Sequence, residues 1–235
     1  MKYFYLIIIM VFLTNLSAQD YSVDELESKT YFSEQIYRYY SEFQEKSSRA
    51  FNLGNRDDAE FYYNQLVEEH LVGSYMDNFN IYCLSDGFCK MEDFEKPLIL
   101  LTYASWNVPT KGEIPAFNSI AKKYSDQVDF AVIFWDKKKD ARKAAKAYNK
   151  DIEILYVDEL QNRYAHTVKM LKHSLGFPTI FVVGSNKRII EIKRNLQNNW
   201  DLELEMAIEN SLNEFTNLVK TLQNFESQLI TDSLE

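Results

Sequence analysis

Residues 96–117 of this 235-residue chain read KPLILLTYASWNVPTKGEIPAF, and this stretch decides the fold. It contains a continuous apolar run, residues 97–104, which has the length and character of a strand buried on both faces of a sheet. The second half predicts a helix from about Thr110 to Tyr124. Downstream, strand-like apolar runs alternate with helical patterns, and these runs lie at residues 128–135, 152–157, 179–183 and 188–192. This alternation predicts an α/β fold, in which a central sheet is flanked by helices.

The segment after the first strand resembles the thioredoxin superfamily, in particular its exported TlpA-like and ResA-like members. Those proteins carry the pattern A-S-W-C-x-P-C-K-x-E-x-P, and this chain matches it at Ala104, Ser105, Trp106, Pro109, Lys111, Glu113 and Pro115. The segment GFPTIFVVGSNKRIIEI, residues 176–192, resembles the family's G-x-P-T-x-F motif, whose proline is cis and corresponds to Pro178. A β-hairpin pattern over residues 79–97 resembles the start of the family's domain. The resemblance covers residues 73–195 and implies a thioredoxin-like central sheet flanked by helices.

The chain departs from the family at the two cysteine positions, which hold Asn107 and Thr110. Thioredoxin chemistry needs a readily ionised thiol and a second thiol that resolves the mixed disulfide. An amide and a hydroxyl supply neither. The position where many thioredoxins hold a buried Asp is occupied by Leu101. We therefore expect no redox catalysis at these positions, and we expect Asn107 to act as the N-cap of the helix that follows.

The resemblance also implies a binding groove, with Trp106 and Pro109 on one side and Phe177 and Pro178 on the other. In active relatives, the backbone beside the cis proline pairs with an extended substrate chain. Packing of Phe177 against Trp106, without any ligand, is the alternative interpretation.

The two cysteines, Cys83 and Cys89, lie on either side of a predicted hairpin turn at Ser85-Asp86-Gly87. A three-residue turn at this place puts them directly opposite each other on adjacent strands, near bonding distance. A structural disulfide is the favoured interpretation in an oxidising compartment. A redox-active pair displaced from the usual site and two free, buried thiols are the alternatives.

The N-terminus predicts export. Lys2 is followed by an apolar run from Tyr3 to Leu13 and by Ala18 at a plausible cleavage point, a pattern typical of a signal peptide over residues 1–18. The run is short for a membrane-spanning helix, and an uncleaved anchor is the alternative. We therefore expect a periplasmic or extracellular protein that has no membrane span once the signal peptide is removed.

Two helical extensions flank the predicted domain. Residues 19–72 predict a helical hairpin, with Asp57 as the cap of its second helix. Residues 196–235 predict one long helix with a heptad-like apolar stripe, which Ser211 interrupts and which comprises Leu204, Ile208, Phe215, Leu218, Leu222, Phe225 and Leu229. We expect this stripe to pack onto the N-terminal hairpin in a monomer. A dimer through the same helix is the alternative.

The formal net charge of −9 argues against a nucleic-acid partner, because phosphate binding needs clustered Lys and Arg. One basic cluster is interpreted as the solvated face of a helix, or else as a docking patch for an acidic partner, and it comprises Lys137, Lys138, Lys139, Arg142, Lys143, Lys146 and Lys150. His166 and His173 lie about 10 Å apart along a helix, too far to share a metal ion. We expect no metal and no other cofactor.

The sequence thus predicts an exported thioredoxin-fold protein that lacks the C-x-x-C redox centre and acts as a non-catalytic binding or assembly module. Its partner is expected to be another exported protein or an extended peptide segment. The competing hypothesis is a thiol–disulfide oxidoreductase that uses the displaced pair Cys83 and Cys89.

Overall fold

The computed structural model of the chain describes residues 29–85, 87–158, 161, 171, 175–176, 178–194 and 199–232. Within them, seven strands form one sheet in the order β2-β1-β5-β4-β3-β6-β7. The strands are β1 (Asn80–Cys83), β2 (Gly87–Lys90), β3 (Leu98–Tyr103), β4 (Asp129–Phe134), β5 (Glu153–Tyr156), β6 (Thr179–Val183) and β7 (Ile189–Arg194). The α-helices are α1 (Phe32–Asn52), α2 (Arg56–Leu66), α3 (Glu113–Tyr124), α4 (Lys138–Ala144) and α5 (Leu204–Asp232).

The sheet is built around β3, which pairs in parallel with β4, while β4 pairs in parallel with β5. On its other side β3 pairs antiparallel with β6, which forms a hairpin with β7. Because Thr102 of β3 pairs with Thr179 of β6, the carboxyl end of β3 and the amino end of β6 lie at the same end of the sheet. The two segments that resemble the thioredoxin superfamily therefore meet there. This arrangement confirms the predicted α/β fold and its thioredoxin-like central sheet.

All six residues of β3 are buried, as predicted for a strand that is covered on both faces. Leu98 and Leu100 belong to the core layer that α1 covers. Ile99 and Leu101 belong to the opposite layer, which α3 and α5 cover. The alternation follows from the two-residue period of a strand. The N-terminal hairpin and the C-terminal helix therefore lie on opposite faces of the sheet.

The N-terminal hairpin is present as α1 and α2, which is followed by a π-helical turn at Val67–Leu71. α1 buries Phe32, Ile36 and Phe43, whose spacing places them on one face of the helix. The predicted cap at Asp57 is wrong. The side-chain oxygen of Asn55 caps α2 by accepting the Asp58 backbone N–H at 3.2 Å. Asp57 lies in the first turn instead, where its charge suits the helix dipole.

The expected packing of the C-terminal helix onto the N-terminal hairpin is wrong. α5 packs against α3, β6 and β7 instead. Its buried residues are Ala207, Ser211, Glu214, Phe215, Leu218, Val219 and Leu222. The rings of Phe215 and Phe117 have their centroids 5.0 Å apart. The physical reason is that the sheet has two apolar faces. The stripe of α1 is buried against one face, and α5 buries the apolar side chains of the other.

No helix in the described part of the chain is long and apolar enough to cross a membrane. The predicted signal peptide, residues 1–18, lies outside the described residues. Most of the helix that the sequence predicts over residues 158–175 also lies outside them.

Candidate functional site

The loop that follows β3, residues 104–112, carries the positions where the resembling family holds its cysteines. The backbone N–H and the hydroxyl of Ser105 both donate to the carboxylate of Asp136, at 2.5 and 2.6 Å. Beyond this anchor, the side chains of Trp106 and Val108 are 71% and 73% exposed. The loop therefore presents two large apolar side chains to solvent on an anchored backbone.

The expectation that Asn107 caps the following helix is wrong. The N-cap of α3 is Gly112, whose φ of 85° lies in the left-handed region, so the helix cannot extend back toward residue 107. The backbone N–H of Asn107 donates to the carbonyl oxygen of Ala104 at 2.9 Å. The side-chain oxygen of Asn107 is buried and has no hydrogen-bond partner within the described residues. Asn107 thus does not cap α3.

Thr110, at the second cysteine position, belongs to a structural network. Its hydroxyl oxygen accepts the backbone N–H of Asn199 at 3.2 Å. Its own backbone N–H donates to the Glu113 carboxylate at 2.9 Å. The ammonium group of the next residue, Lys111, donates to the carbonyl oxygen of Leu202. The segment that leads into α5 is therefore bonded to the loop at two points.

Gly112 brings the loop into direct contact with α5. A Cβ atom at this position would lie 2.4 Å from the carbonyl carbon of Ala207, which is closer than any side chain allows. Glycine is required here for that approach and for the positive φ. Nearby, the buried Asn199 donates through its side chain to the hydroxyl of Ser211 at 3.1 Å. The C-terminal segment thus holds the loop by backbone contacts as well as by hydrogen bonds.

Glu113 is the buried carboxyl group of the site, with 2% of its surface exposed. The Tyr103 hydroxyl donates to one carboxylate oxygen, and the Thr110 backbone N–H donates to the other. Burial raises the pKa of Glu113 to about 7, against the lowering effect of these hydrogen bonds, and the neighbouring Glu214 raises it further. Burial and the charge of Glu113 also raise the pKa of Tyr103. At neutral pH the carboxyl group is therefore close to half protonated.

A cleft of about 380 Å³ lies between the loop and the region of α4. Ser105, Asn107 and Pro109 line one wall, and Lys143 and Tyr148 line the other. A larger cleft of about 910 Å³ lies between the N-terminal hairpin and β7, but none of the residues that match the family's two motifs lines it. The smaller cleft adjoins the residues that the sequence singles out, and it is the candidate site.

Pro178 lies beside the end of β3, because the next residue, Thr179, pairs with Thr102. The backbone N–H of Thr179 also donates to the Thr102 hydroxyl, at 3.3 Å. The sheet therefore brings Pro178 to the end from which the loop with Trp106 and Pro109 emerges. Phe177, the fourth residue of the predicted groove, lies outside the described residues.

Cys83 and Cys89 form a disulfide, and their Cα atoms are 5.8 Å apart. The predicted pairing of the two cysteines directly opposite each other is wrong. Cys83 pairs with Gly87 and Cys89 pairs with Ile81, so the cysteines are diagonal neighbours on one face of the hairpin. Because Gly87 has no side chain, the space opposite Cys83 is open to the sulfur of Cys89. β5 and β4 separate this hairpin from β3, which places it about 14 Å from the loop site.

Metal-ligating atoms come close together in one group of described residues, Cys83, Cys89 and Glu153. Both sulfur atoms are committed to the disulfide, which leaves a single carboxylate. The ring of His70 stacks on that of Tyr39, with centroids 3.7 Å apart. His166 and His173 lie outside the described residues.

Reasoning from the sequence identified Trp106, Asn107 and Thr110 but missed Gly112 and Asn199. The local sequence does allow Gly112 to be the N-cap of α3, because a glycine immediately before an acidic residue and an apolar run is an acceptable helix start. Asn199 had no local signal, since its hydrogen bond to the loop joins residues that are distant in the sequence.

No protein-family model matches the chain, and no curated protein matches it. Several solved structures are similar to it. One is the thioredoxin domain of a thiol-disulfide oxidoreductase from Bacteroides vulgatus, with 15% identity, a TM-score of 0.45, and coverage of 58% of this chain and 97% of that one. Another is a thio-disulfide isomerase from Thermus thermophilus, with 19% identity, a TM-score of 0.45, and coverage of 59% and 96%. A third is a secreted disulfide oxidoreductase from Mycobacterium tuberculosis, with 14% identity, a TM-score of 0.42, and coverage of 57% and 93%. By the strand order of its own sheet, and by the two motifs that meet beside β3, this chain is a thioredoxin-fold protein.

Proposed function

We propose that this protein is an exported thioredoxin-fold module that binds an extended segment of another protein at the loop of residues 104–109. In this proposal the loop catalyses no thiol–disulfide exchange. The observation that carries the proposal is the structural use of Thr110. Its hydroxyl accepts the Asn199 backbone N–H at 3.2 Å, so the second redox position is committed to holding the C-terminal segment.

The chemistry of the loop supports a non-catalytic role. Exchange requires a thiolate that attacks a disulfide and a second thiol that releases the mixed disulfide. Position 107 offers an amide, and position 110 offers a hydroxyl that is already hydrogen-bonded. Because α3 begins only at Glu113, position 107 also lies outside the first helical turn, where the helix dipole would stabilise an anion.

The exposure of the loop supports binding. Trp106 and Val108 are 71% and 73% exposed, and the Ser105–Asp136 hydrogen bonds anchor the backbone that carries them. Aromatic side chains on an anchored backbone are typical centres of protein interfaces, because they bury a large area at a small entropic cost.

The test is a selection of short random peptides on the purified protein, followed by fluorescence anisotropy with the selected peptides. Trp106→Ala should weaken binding about thirtyfold, the effect of losing a central aromatic anchor. Phe61→Ala is the matched control, because Phe61 is also exposed, at 59%, but lies in α2 of the N-terminal hairpin. Equal affinities of wild type and Trp106→Ala would reject the proposed site.

The disulfide favours a second candidate function, a thiol–disulfide oxidoreductase that uses Cys83 and Cys89. Two features weigh against it. Cys83 is completely buried and Cys89 is only partly exposed, so at most one of the two sulfur atoms is open to an attacking thiolate. The carboxylate of Glu153 lies within 4.8 Å of both sulfur atoms, and a negative charge there disfavours a thiolate. Insulin reduction with dithiothreitol distinguishes the two functions, because only the oxidoreductase accelerates it, and that acceleration would disappear in Cys89→Ser.

A further inference from the structure

The most concentrated charge in the chain lies on and around α4. Residues 137–150 contain one acidic residue, Asp140, and seven basic residues, named here the basic face: Lys137, Lys138, Lys139, Arg142, Lys143, Lys146 and Lys150. All seven are exposed, and none of them forms a salt bridge with a described carboxylate. This concentration stands out in a chain whose formal net charge is −9.

The packing of α4 orients this charge outward. Ala141 is buried and Ala144, Ala145 and Tyr148 pack against the core layer under α3 and α5, so the small and aromatic side chains face the sheet. The basic side chains occupy the remaining surface of the helix. Because none of them is tied to an acidic neighbour among the described residues, their combined field acts on whatever approaches this face.

The basic face begins at the candidate site. One wall of the 380 Å³ cleft is lined by Lys143 of the basic face and by Asp140, Ala147 and Tyr148, and the other wall includes Asn107 and Pro109. A segment that binds the loop and continues over this wall of the cleft reaches the basic side chains of α4. We infer that the segment bound at the loop belongs to an acidic polypeptide, whose Asp and Glu side chains lie along the basic face. This inference rests on the proposed function and assigns the chemical class of its partner.

A polypeptide fits this surface better than an extended polyanion does. The positive charge occupies one short helix and its flanks, while the remainder of the chain is acidic and repels a nucleic acid or an anionic membrane that extends beyond α4. The adjoining Trp106 is exposed and suits contact with an apolar side chain, which a polypeptide supplies. Charges at the rim of such a contact speed association and select the partner.

The test uses the peptides selected on the full chain from a library without charge bias. The selected sequences should be enriched in Asp and Glu beside an apolar residue, and their affinity should fall as the salt concentration rises. The variant Lys139→Glu/Lys143→Glu/Lys146→Glu should bind them about tenfold more weakly, since each exposed ion pair contributes modestly. All three side chains are exposed, so folding is preserved, and circular dichroism checks this.

The matched control is Arg38→Glu/Arg49→Glu/Arg56→Glu, which changes the net charge equally but alters the N-terminal hairpin on the opposite face of the sheet. It should leave the affinity within about twofold, because those charges are distant and screened. Neutral selected peptides that still require Trp106 would overturn the acidic partner and leave the proposed function standing. Acidic peptides that bind Trp106→Ala as tightly as they bind wild type would overturn the proposed binding site at the loop. The inference would be overturned if no peptide is selected. It would also be overturned if the protein binds phosphatidylglycerol vesicles but no peptide, and the Lys139→Glu/Lys143→Glu/Lys146→Glu variant does not bind these vesicles.

Discussion

Glu113 is a carboxyl group that the fold keeps close to half protonated at neutral pH. Burial raises its pKa from 4.5 to about 7, so between these values the folded protein holds a proton that the unfolded chain has lost. The free energy of unfolding therefore falls as the pH rises through this interval. Each pH unit of this interval corresponds to about 1.36 kcal/mol, so the free energy of unfolding falls by about 3 kcal/mol in total. Glu113→Gln lacks this ionisation, so wild type should lose about 3 kcal/mol relative to the variant between pH 4.5 and 8.

Urea unfolding at a series of pH values measures this difference, and comparison with the variant removes the contributions of all other ionisable groups. Glu205→Gln is the control, because Glu205 lies in the first turn of α5 and is exposed. The free energy of unfolding of Glu205→Gln should change with pH in the same way as that of wild type. Parallel curves for wild type and Glu113→Gln would contradict the raised pKa.

The β1–β2 hairpin is an element closed by its own disulfide. The cross-link between Cys83 and Cys89 encloses a short loop, so it removes a modest amount of entropy from the unfolded chain. We expect Cys83→Ala/Cys89→Ala to lower the free energy of unfolding by about 2 kcal/mol, which urea unfolding without reductant measures.

Reduced wild type is the matched control for this element. With dithiothreitol present, wild type and the double variant should unfold at similar urea concentrations, because the cross-link is absent from both. Equal stability of the two proteins without reductant would show that the disulfide does not constrain the hairpin.

The stability of the whole molecule depends on α5, because this helix covers one face of the sheet and also holds the loop of residues 104–112. Phe215 is completely buried and packs against Phe117 of α3. We expect Phe215→Ala to lower the free energy of unfolding by about 3–5 kcal/mol, the usual cost of removing a buried ring. Urea or thermal unfolding measures it.

Ile230→Ala is the matched control on the same helix, because Ile230 is 63% exposed and its truncation should change stability little. A Phe215→Ala protein as stable as wild type would contradict the packing of α5 against α3. The monomer stays a prediction. It is favoured because the central residues of the predicted stripe, Phe215, Leu218 and Leu222, are buried within one chain.

The sequence by itself determined the buried central strand, the order of the strands and helices that the structure describes, and the loss of both redox positions. These features depend on short-range periodicity or on residue identity. β3 is buried at all six positions because its apolar run is continuous. Asn107 and Thr110 lack a thiol in any conformation. The hairpin of α1 and α2 was likewise predictable, apart from the capping residue, because its stripe has helical spacing.

Only the tertiary structure decided which face of the sheet each extension covers, where α3 begins, and how the cysteines pair. The stripes of α1 and α5 are both apolar, and periodicity does not specify which surface buries which stripe. The start of α3 depends on the approach of Gly112 to Ala207, a contact between residues far apart in the chain. The role of Thr110 was decided in the same way, because its hydroxyl bonds a residue that becomes its neighbour only when the sheet and α5 have packed.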